Sequence, residues 1–318
     1  MIQSRSSHTI SLLPDGKVLV TGGIYKSNIL NSAEIYDPIT GLWNLTNSMN
    51  YARYSHAASV LQNGLVLVCG GGDQKYSTFT SELYDSKTHT WTITGNMSIA
   101  RHVHTTSVLF NGNVLVVGGS TNSTELYNPS NGTWRKIEDL KYSRYWHQAS
   151  LLLDGKVLIT GGTDSEQIHD IPELFDPLTE SWTTTAAMNS LRGAHTSTVL
   201  KDGKVLVTGG FDFPIKKSAE LYDPDTRTWT NTSSLRIGRV LHNALLLSDG
   251  MILVIGGATD NKELKSAELY DPSNETWSMI DDMHCSRVEH RSILLSNGTV
   301  LVTGQNENIN YPCNAELY

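Results

Sequence analysis

An Arg-x-x-His element returns seven times along the chain, at Arg5/His8, Arg53/His56, Arg101/His104, Arg144/His147, Arg192/His195, Arg239/His242 and Arg287/His290, with 43 to 48 residues from one copy to the next. A period of this length marks a stacked or radial repeat fold, because one supersecondary unit cannot bury its apolar surface alone and must share it with the next. Each copy leads into an apolar run and then a tight turn: Pro14-Asp15-Gly16, Gln62-Asn63-Gly64, Asn111-Gly112, Asp154-Gly155, Asp202-Gly203, Asp249-Gly250 or Asn297-Gly298. Asn-Gly and Asp-Gly between apolar runs are hairpin signals, since both positions accept the positive φ that such turns need.

The second run, typified by Val18-Leu19-Val20-Thr21, ends on a double glycine, with equivalents at Gly70-Gly71, Gly118-Gly119, Gly161-Gly162, Gly209-Gly210 and Gly256-Gly257. A variable loop follows. A third strand of the type Ser218-Ala219-Glu220-Leu221-Tyr222-Asp223-Pro224 comes next, and a fourth opens at Trp43, Trp91, Trp134, Trp182, Trp229 or Trp277. One unit is a four-stranded antiparallel meander. Radial repetition of such units lets each sheet bury both faces and exposes only short edges. The expected fold is all-β, a seven-bladed propeller of four-stranded antiparallel blades whose last blade lacks its outer strand. The frequent Gly, Asn-Gly and β-branched runs exclude a helical solenoid.

The double glycine, the Glu-Leu-Tyr-Asp-Pro strand and the later Trp resemble the kelch motif, and the resemblance covers essentially all 318 residues. The WD-type propeller is marked by Trp-Asp pairs, and no Trp here precedes Asp. Departures are Ser86 for Pro, Asn128 for Asp, Phe175 for Tyr, and Gly304-Gln305 at the last double glycine. The reading expects a single propeller domain over residues 1–318, with units at about 5–52, 53–100, 101–143, 144–191, 192–238, 239–286 and 287–318. Met49, Met97, Met188 and Met283 stand four residues before their Arg, as Met1 does before Arg5, and the chain stops before a seventh Trp strand. The array therefore reads as cut within a repeat.

A formal net charge of -8 and a pI near 5.7 leave no basic footprint for a nucleic-acid backbone. No apolar stretch approaches the roughly 18 residues of a membrane helix. Neither nucleic acid nor membrane is an expected partner. Three cysteines cannot build a disulfide framework, but Cys285 and Cys313 fall in two loops beside the seventh unit, where a bridge is geometrically possible. Cys69 reads as a small core residue. Seven Asn-x-Ser/Thr sequons occur, as a chain rich in Asn, Ser and Thr shows in part by chance. The compartment stays open: cytoplasmic for a complete chain, extracellular for a piece of a longer one.

The loop between strands two and three lies on the same side as the loop joining one blade to the next, and this side varies between units. Variable loops on a rigid frame carry recognition. The candidate binding residues there are Tyr25, Tyr54, Tyr76, His102, Tyr145, Trp146, Phe211 and Phe213, set among the charges of Lys26, Lys75, Asp164, Glu166, Asp170 and Asp212. Blade five instead places Gly193 and Ala194 between its Arg and His, so the face is chemically lopsided. The repeated Arg, His, Tyr and Trp columns read as structural, the last two as inter-blade packing, because a ligand seldom needs seven equivalent groups. No catalytic residue, metal site or cofactor is assigned. The resemblance implies a non-catalytic interaction scaffold for a protein or peptide partner. Two alternatives remain: carbohydrate binding, or an enzyme propeller like the galactose-oxidase-type copper enzymes or the sialic-acid mutarotase.

Overall fold

A computed structural model describes residues 1–73, 75–304 and 313–318, all in strands, bridges and turns with no helix among them. Gln305, read above as breaking the last double glycine, lies outside the described residues. The strands form a seven-bladed β-propeller: six four-stranded antiparallel sheets and a last sheet of three strands. Blade 1 runs through Thr9–Leu12, Val18–Thr21, Ala33–Asp37 and Leu42–Thr46. It also carries a two-stranded hairpin, Ile24–Tyr25 against Asn28–Ile29, too short for periodicity to reveal. Blade 7 is built from Arg291–Leu294, Val300–Thr303 and Ala315–Leu317.

Two compact units divide the chain, Met1–Ile137 together with His290–Tyr318, and Glu138–Glu289. The first holds blades 1, 2, 3 and 7 and the second holds blades 4, 5 and 6. In each, the second strands are wholly buried and the fourth strands largely exposed. This explains why the second strands are continuous Val, Leu and Ile runs while the fourth strands carry Thr, Asn and Lys. Apolar side chains of adjacent blades interlock. Leu19 and Ile35 of blade 1 cluster with Val66, Val68 and Tyr84 of blade 2, and Leu206 and Leu221 of blade 5 with Ile252, Val254 and Tyr270 of blade 6. Blade 7 packs its Leu295 and Leu301 on Val18, Val20 and Tyr36 of blade 1.

The aromatic columns serve two levels of packing at once. Tyr222 stands opposite Trp229 in the strand register, with ring centroids 5.0 Å apart, and the same pair recurs in blades 1 to 6 at 4.9–5.0 Å, with Phe175 in place of Tyr in blade 4. Their polar tips then reach the preceding blade. Trp229 Nε1 donates to the Ala186 carbonyl at 3.0 Å, and the Tyr222 hydroxyl meets Thr185 Oγ1 at 3.1 Å. The expected inter-blade role is therefore joined by a pairing within the blade.

Candidate functional site

The loops are held by a buried ionic frame. In blades 1 to 6 the repeated Arg pairs with the Glu of the third strand, Arg5–Glu34, Arg53–Glu82, Arg101–Glu125, Arg144–Glu173, Arg192–Glu220 and Arg239–Glu268, at 2.7–2.9 Å with both side chains at most 2% exposed. Each guanidinium also donates to the carbonyl of the first glycine of its own blade at 2.7–2.9 Å. The second carboxylate oxygen accepts a backbone N–H from the segment before the Arg, such as Asn189 N to Glu220 at 2.6 Å. Burial pushes the guanidinium pKa of Arg5, Arg144, Arg192 and Arg239 down, with the facing carboxylate opposing it. Such pairs are tolerated in a core when most of their remaining hydrogen bonds are satisfied; here both Nη groups of each guanidinium are engaged, while the Nε of Arg5, Arg53, Arg101 and Arg144 has no acceptor.

The His column points elsewhere, to the preceding blade. His56 Nε2 meets Thr9 Oγ1 at 2.8 Å, His195 Nε2 meets Thr160 Oγ1 at 2.9 Å, His242 Nε2 meets Thr196 Oγ1 at 2.9 Å, and His8 reaches Thr303 of blade 7 at 2.8 Å. In blade 3 the partner is the thiol of Cys69, 3.6 Å from His104 Nε2. Cys69 is a free, buried cysteine, its pKa raised by burial to about 12. The double glycine exists to admit these groups. A Cβ on Gly22 would lie 2.5 Å from the Arg53 carbonyl oxygen and 2.7 Å from His56, and one on Gly23 2.5 Å from the Ser6 carbonyl oxygen. Both glycines have positive φ, so neither place nor backbone allows a side chain.

Above this frame, in blades 1, 2, 4, 5 and 6, the residue after the Arg pairs with the residue after the double glycine, as Ser6↔Ile24, Tyr54↔Gly72, Tyr145↔Thr163, Gly193↔Phe211 and Val240↔Ala258. In these five blades the bridge ties the inter-blade loop to the loop between strands two and three, on one side of the blade as expected. Its two positions share a fixed space. The Tyr54 ring lies over Gly72, whose Cβ would stand 2.5 Å from it, and the Phe211 ring lies over Gly193, where a Cβ would stand 2.6 Å away. The glycine in blade five is the seat of the Phe211 ring.

Four candidate residues come together in the second unit. Ring centroids run Tyr145 to Trp146 at 5.1 Å, Trp146 to Phe211 at 5.6 Å and Phe211 to Phe213 at 5.8 Å. Trp146 is 38% exposed and Phe213 83%. Trp146 has φ of 55°, as do its equivalents within a few degrees in every blade, and its carbonyl accepts the Ala194 N–H at 3.0 Å. A left-handed, hydrogen-bonded backbone thus holds the indole at the surface. Next to this ladder, His169 stacks on Tyr142 at 4.9 Å and meets Asp164 at 3.0 Å. Against the upward push of burial, the N–H groups of Glu166 and Gln167 and the His169 ring hold the Asp164 carboxyl below its usual range. His169 was missed in the sequence, although a histidine outside the repeated column was a readable signal.

The other four candidates lie in the first unit. Tyr25 is half-buried on the blade 1 hairpin, with the Lys26 ammonium 5.2 Å from its ring. Tyr54 covers Gly72, Gly72 pairs with Ser77, and the Ser77 hydroxyl holds His102 Nδ1 at 2.8 Å. Tyr76 projects at 77% exposure from a turn in which the Asp73 carboxylate accepts the N–H groups of Lys75 and Tyr76. Gly193→Ala should push the Phe211 ring off its seat and cost about 1–3 kcal/mol, read by chemical unfolding. Adding Phe211→Ala should recover most of that loss, and no recovery would show the ring and the glycine to be independent.

Comparison with curated proteins finds no match. Among solved structures, the chain is similar to a fungal alcohol oxidase of the AA5 family in complex with copper, at 18% identity and a TM-score of 0.79, covering 98% of this chain and 72% of that one. It is also similar to YjhT, at 15% identity and a TM-score of 0.69, covering 88% of this chain and 99% of that one. These likenesses concern the fold. Residues 12–50 and 53–98 match the Kelch motif, and residues 105–304, more than half of the chain, match the KLHDC2/KLHL20/DRC7 Kelch-repeats domain. With repeat, blade and buried frame in agreement with that match, the chain belongs to the Kelch-repeat family.

Proposed function

We propose that this propeller is a non-catalytic recognition scaffold that binds a protein or peptide segment on the loop side of blades 4 and 5. The observation that supports this is the Tyr145–Trp146–Phe211–Phe213 ladder, a contiguous aromatic surface fixed from below and exposed above. Rigid aromatics give large contact area at little entropic cost and dominate binding hot spots. Mixed charge beside it, from Asp164, Glu166, Asp212 and Lys216, suits a polar rim. Among the described residues no three His, Cys, Asp or Glu side chains converge. Five of the repeated histidines, His8, His56, His104, His195 and His242, are engaged with hydroxyl or thiol partners.

The test pairs affinity with stability once a partner has been captured by pull-down. Trp146→Ala should weaken binding by about 2 kcal/mol, roughly thirtyfold, and leave thermal unfolding nearly unchanged. Trp229→Ala should instead remove about 3 kcal/mol of stability, because that ring is packed among Leu174, Val205, Val207 and Tyr222. A Trp146→Ala protein that stays folded and binds with full affinity would defeat the site assignment.

A further inference from the structure

The polar tips of the ladder differ from those of the packed columns. The indole N–H groups of Trp91, Trp134, Trp182, Trp229 and Trp277 each donate to a backbone carbonyl at 2.7–3.0 Å. Among the described residues, neither the Trp146 indole N–H nor the Tyr145 hydroxyl has a hydrogen-bond partner, although bridge and ring contacts fix both side chains in place. Tryptophan can only donate, tyrosine donates and accepts, and phenylalanine does neither. The four rings therefore offer a bound segment apolar surface and two donors, with the phenol oxygen their one acceptor. An ordinary peptide laid on Phe211 and Phe213 would lose water from its N–H groups and find no acceptor on those rings. Proline has no N–H to strand and keeps its carbonyl as an acceptor.

We infer that the segment bound here is proline-rich and lies on the ladder as a polyproline II helix with a basic residue at its blade 4 end; this rests on the ladder being the binding surface. Two residues of such a helix rise about 6 Å, and successive rings of the ladder step by 5.1, 5.6 and 5.8 Å. Pyrrolidine rings fill the spaces between aromatic rings, and carbonyls of the helix accept from Trp146 and Tyr145, as in other aromatic-lined grooves that read such segments. The helix is stiff before it binds, so little ordering entropy is lost. Charge sets the direction. The loop joined to Tyr145 through Thr163 carries Asp164, Glu166 and Asp170 and no lysine or arginine from 164 to 170, against Lys141, whose ammonium stands 5.1 Å from a Tyr142 ring that stacks on His169. At the other end Asp212 is already paired with Lys216 at 3.3 Å. Negative charge is thus in excess at the blade 4 end, where Glu166 is exposed, and it attracts the basic flank.

Synthetic peptides test this: deca-proline, deca-proline with an arginine pair at one end, and an alanine/serine peptide of equal length. The Trp146 indole N–H resonance, assigned by its loss in Trp146→Phe, reports contact, and calorimetry reports affinity. Both proline peptides should shift that resonance to saturation, and the alanine/serine peptide should not. Trp146→Phe and Tyr145→Phe should each weaken the proline peptides about fivefold with thermal unfolding unchanged. Glu166→Gln should weaken the arginine-flanked peptide about twofold and leave deca-proline unaffected. If neither proline peptide binds, or both bind Trp146→Phe and Tyr145→Phe with full affinity, the proposal is overturned. An arginine-flanked peptide that binds Glu166→Gln unchanged overturns the basic flank. Ladder-dependent capture of a partner with no proline-rich segment overturns the ligand class and leaves the binding surface in place, whereas a partner held by Trp146→Ala at full affinity removes both.

Discussion

Acidification from pH 7 to pH 5 should lower stability through His8, His56 and His195, with His195 alone accounting for about 2 kcal/mol. Burial is the first cause of their lowered pKa values, with neighbouring Arg charges adding to it, and His195 falls to about 3. The sign follows from which state takes the proton. Above pH 6.5 the rings are neutral folded and unfolded, so they contribute no slope. Below it the unfolded chain protonates while the folded chain resists, and stability falls by about 1.4 kcal/mol per pH unit per ring until the folded value is reached. The geometry explains the resistance. Nε2 is engaged with threonine, and Nδ1 of all three faces no hydrogen-bond partner, so an added proton would have no acceptor. In the window from pH 6.5 to 4 the depressed carboxyls Asp73, Asp154, Asp164 and Asp271 do not act, since they work only below their ordinary value of 3.8, and the histidines share it with Glu263, raised by burial above 4.5, and at its upper end with the Met1 amino group, lowered by burial to about 6. Denaturant unfolding across that window should show the slope, reduced by one ring's share in His195→Gln. A flat profile would contradict the neutral buried rings.

Glu220→Ala should lower the unfolding free energy by about 3–5 kcal/mol. Arg192 would be left charged and buried, having lost contacts at 2.7 and 3.2 Å to Glu220 Oε1, and the Asn189 N–H would lose its acceptor. The pair Arg192→Met with Glu220→Leu should cost clearly less than the sum of the single changes, because no charge is then stranded. Its remaining penalty would come from the Gly209 and Ser218 carbonyls that Arg192 now serves at 2.7 and 2.8 Å, about 1–3 kcal/mol for each left unpaired. A double-mutant cycle by urea unfolding measures the coupling. Additive losses would mean that Arg and Glu act separately.

Blade number, strand count and the side on which the variable loops gather were legible because they rest on repeated turns and apolar runs. The partner of the Arg column was not read, although Glu34 and its equivalents repeat as regularly. A glutamate in a strand suggests a solvated face, yet Ala33-Glu34-Ile35-Tyr36 is buried on both faces, so alternation carried no warning. The left-handed residue before each His was equally hidden. Ser7, Ser55, Val103, Trp146, Ala194, Leu241 and Glu289 share the conformation without sharing a chemistry. It is fixed by hydrogen bonds from outside the tripeptide, as Ser55 N to the Ser7 carbonyl at 2.9 Å and Leu241 N to the Ala194 carbonyl at 3.1 Å. Of the candidate residues, Tyr145, Trp146, Phe211 and Phe213 could be named from the sequence, but the centroid distances that link them arise from loops 65 residues apart along the chain.

The shared space at the loop bridge bears on how such a protein acquires new specificities. Tyr54 over Gly72 and Phe211 over Gly193 are mirror solutions to one volume constraint, the ring supplied once by the inter-blade loop and once by the loop after the double glycine. Changing either residue alone yields a clash or a hole, so single-site variation is filtered out before any ligand is sampled. Passage from one solution to the other must go through a small–small intermediate, folded but without an anchor. Combinatorial libraries on this scaffold should accordingly vary residues 54 with 72, 145 with 163 and 193 with 211 as linked codon pairs, with the total side-chain volume of each pair held constant.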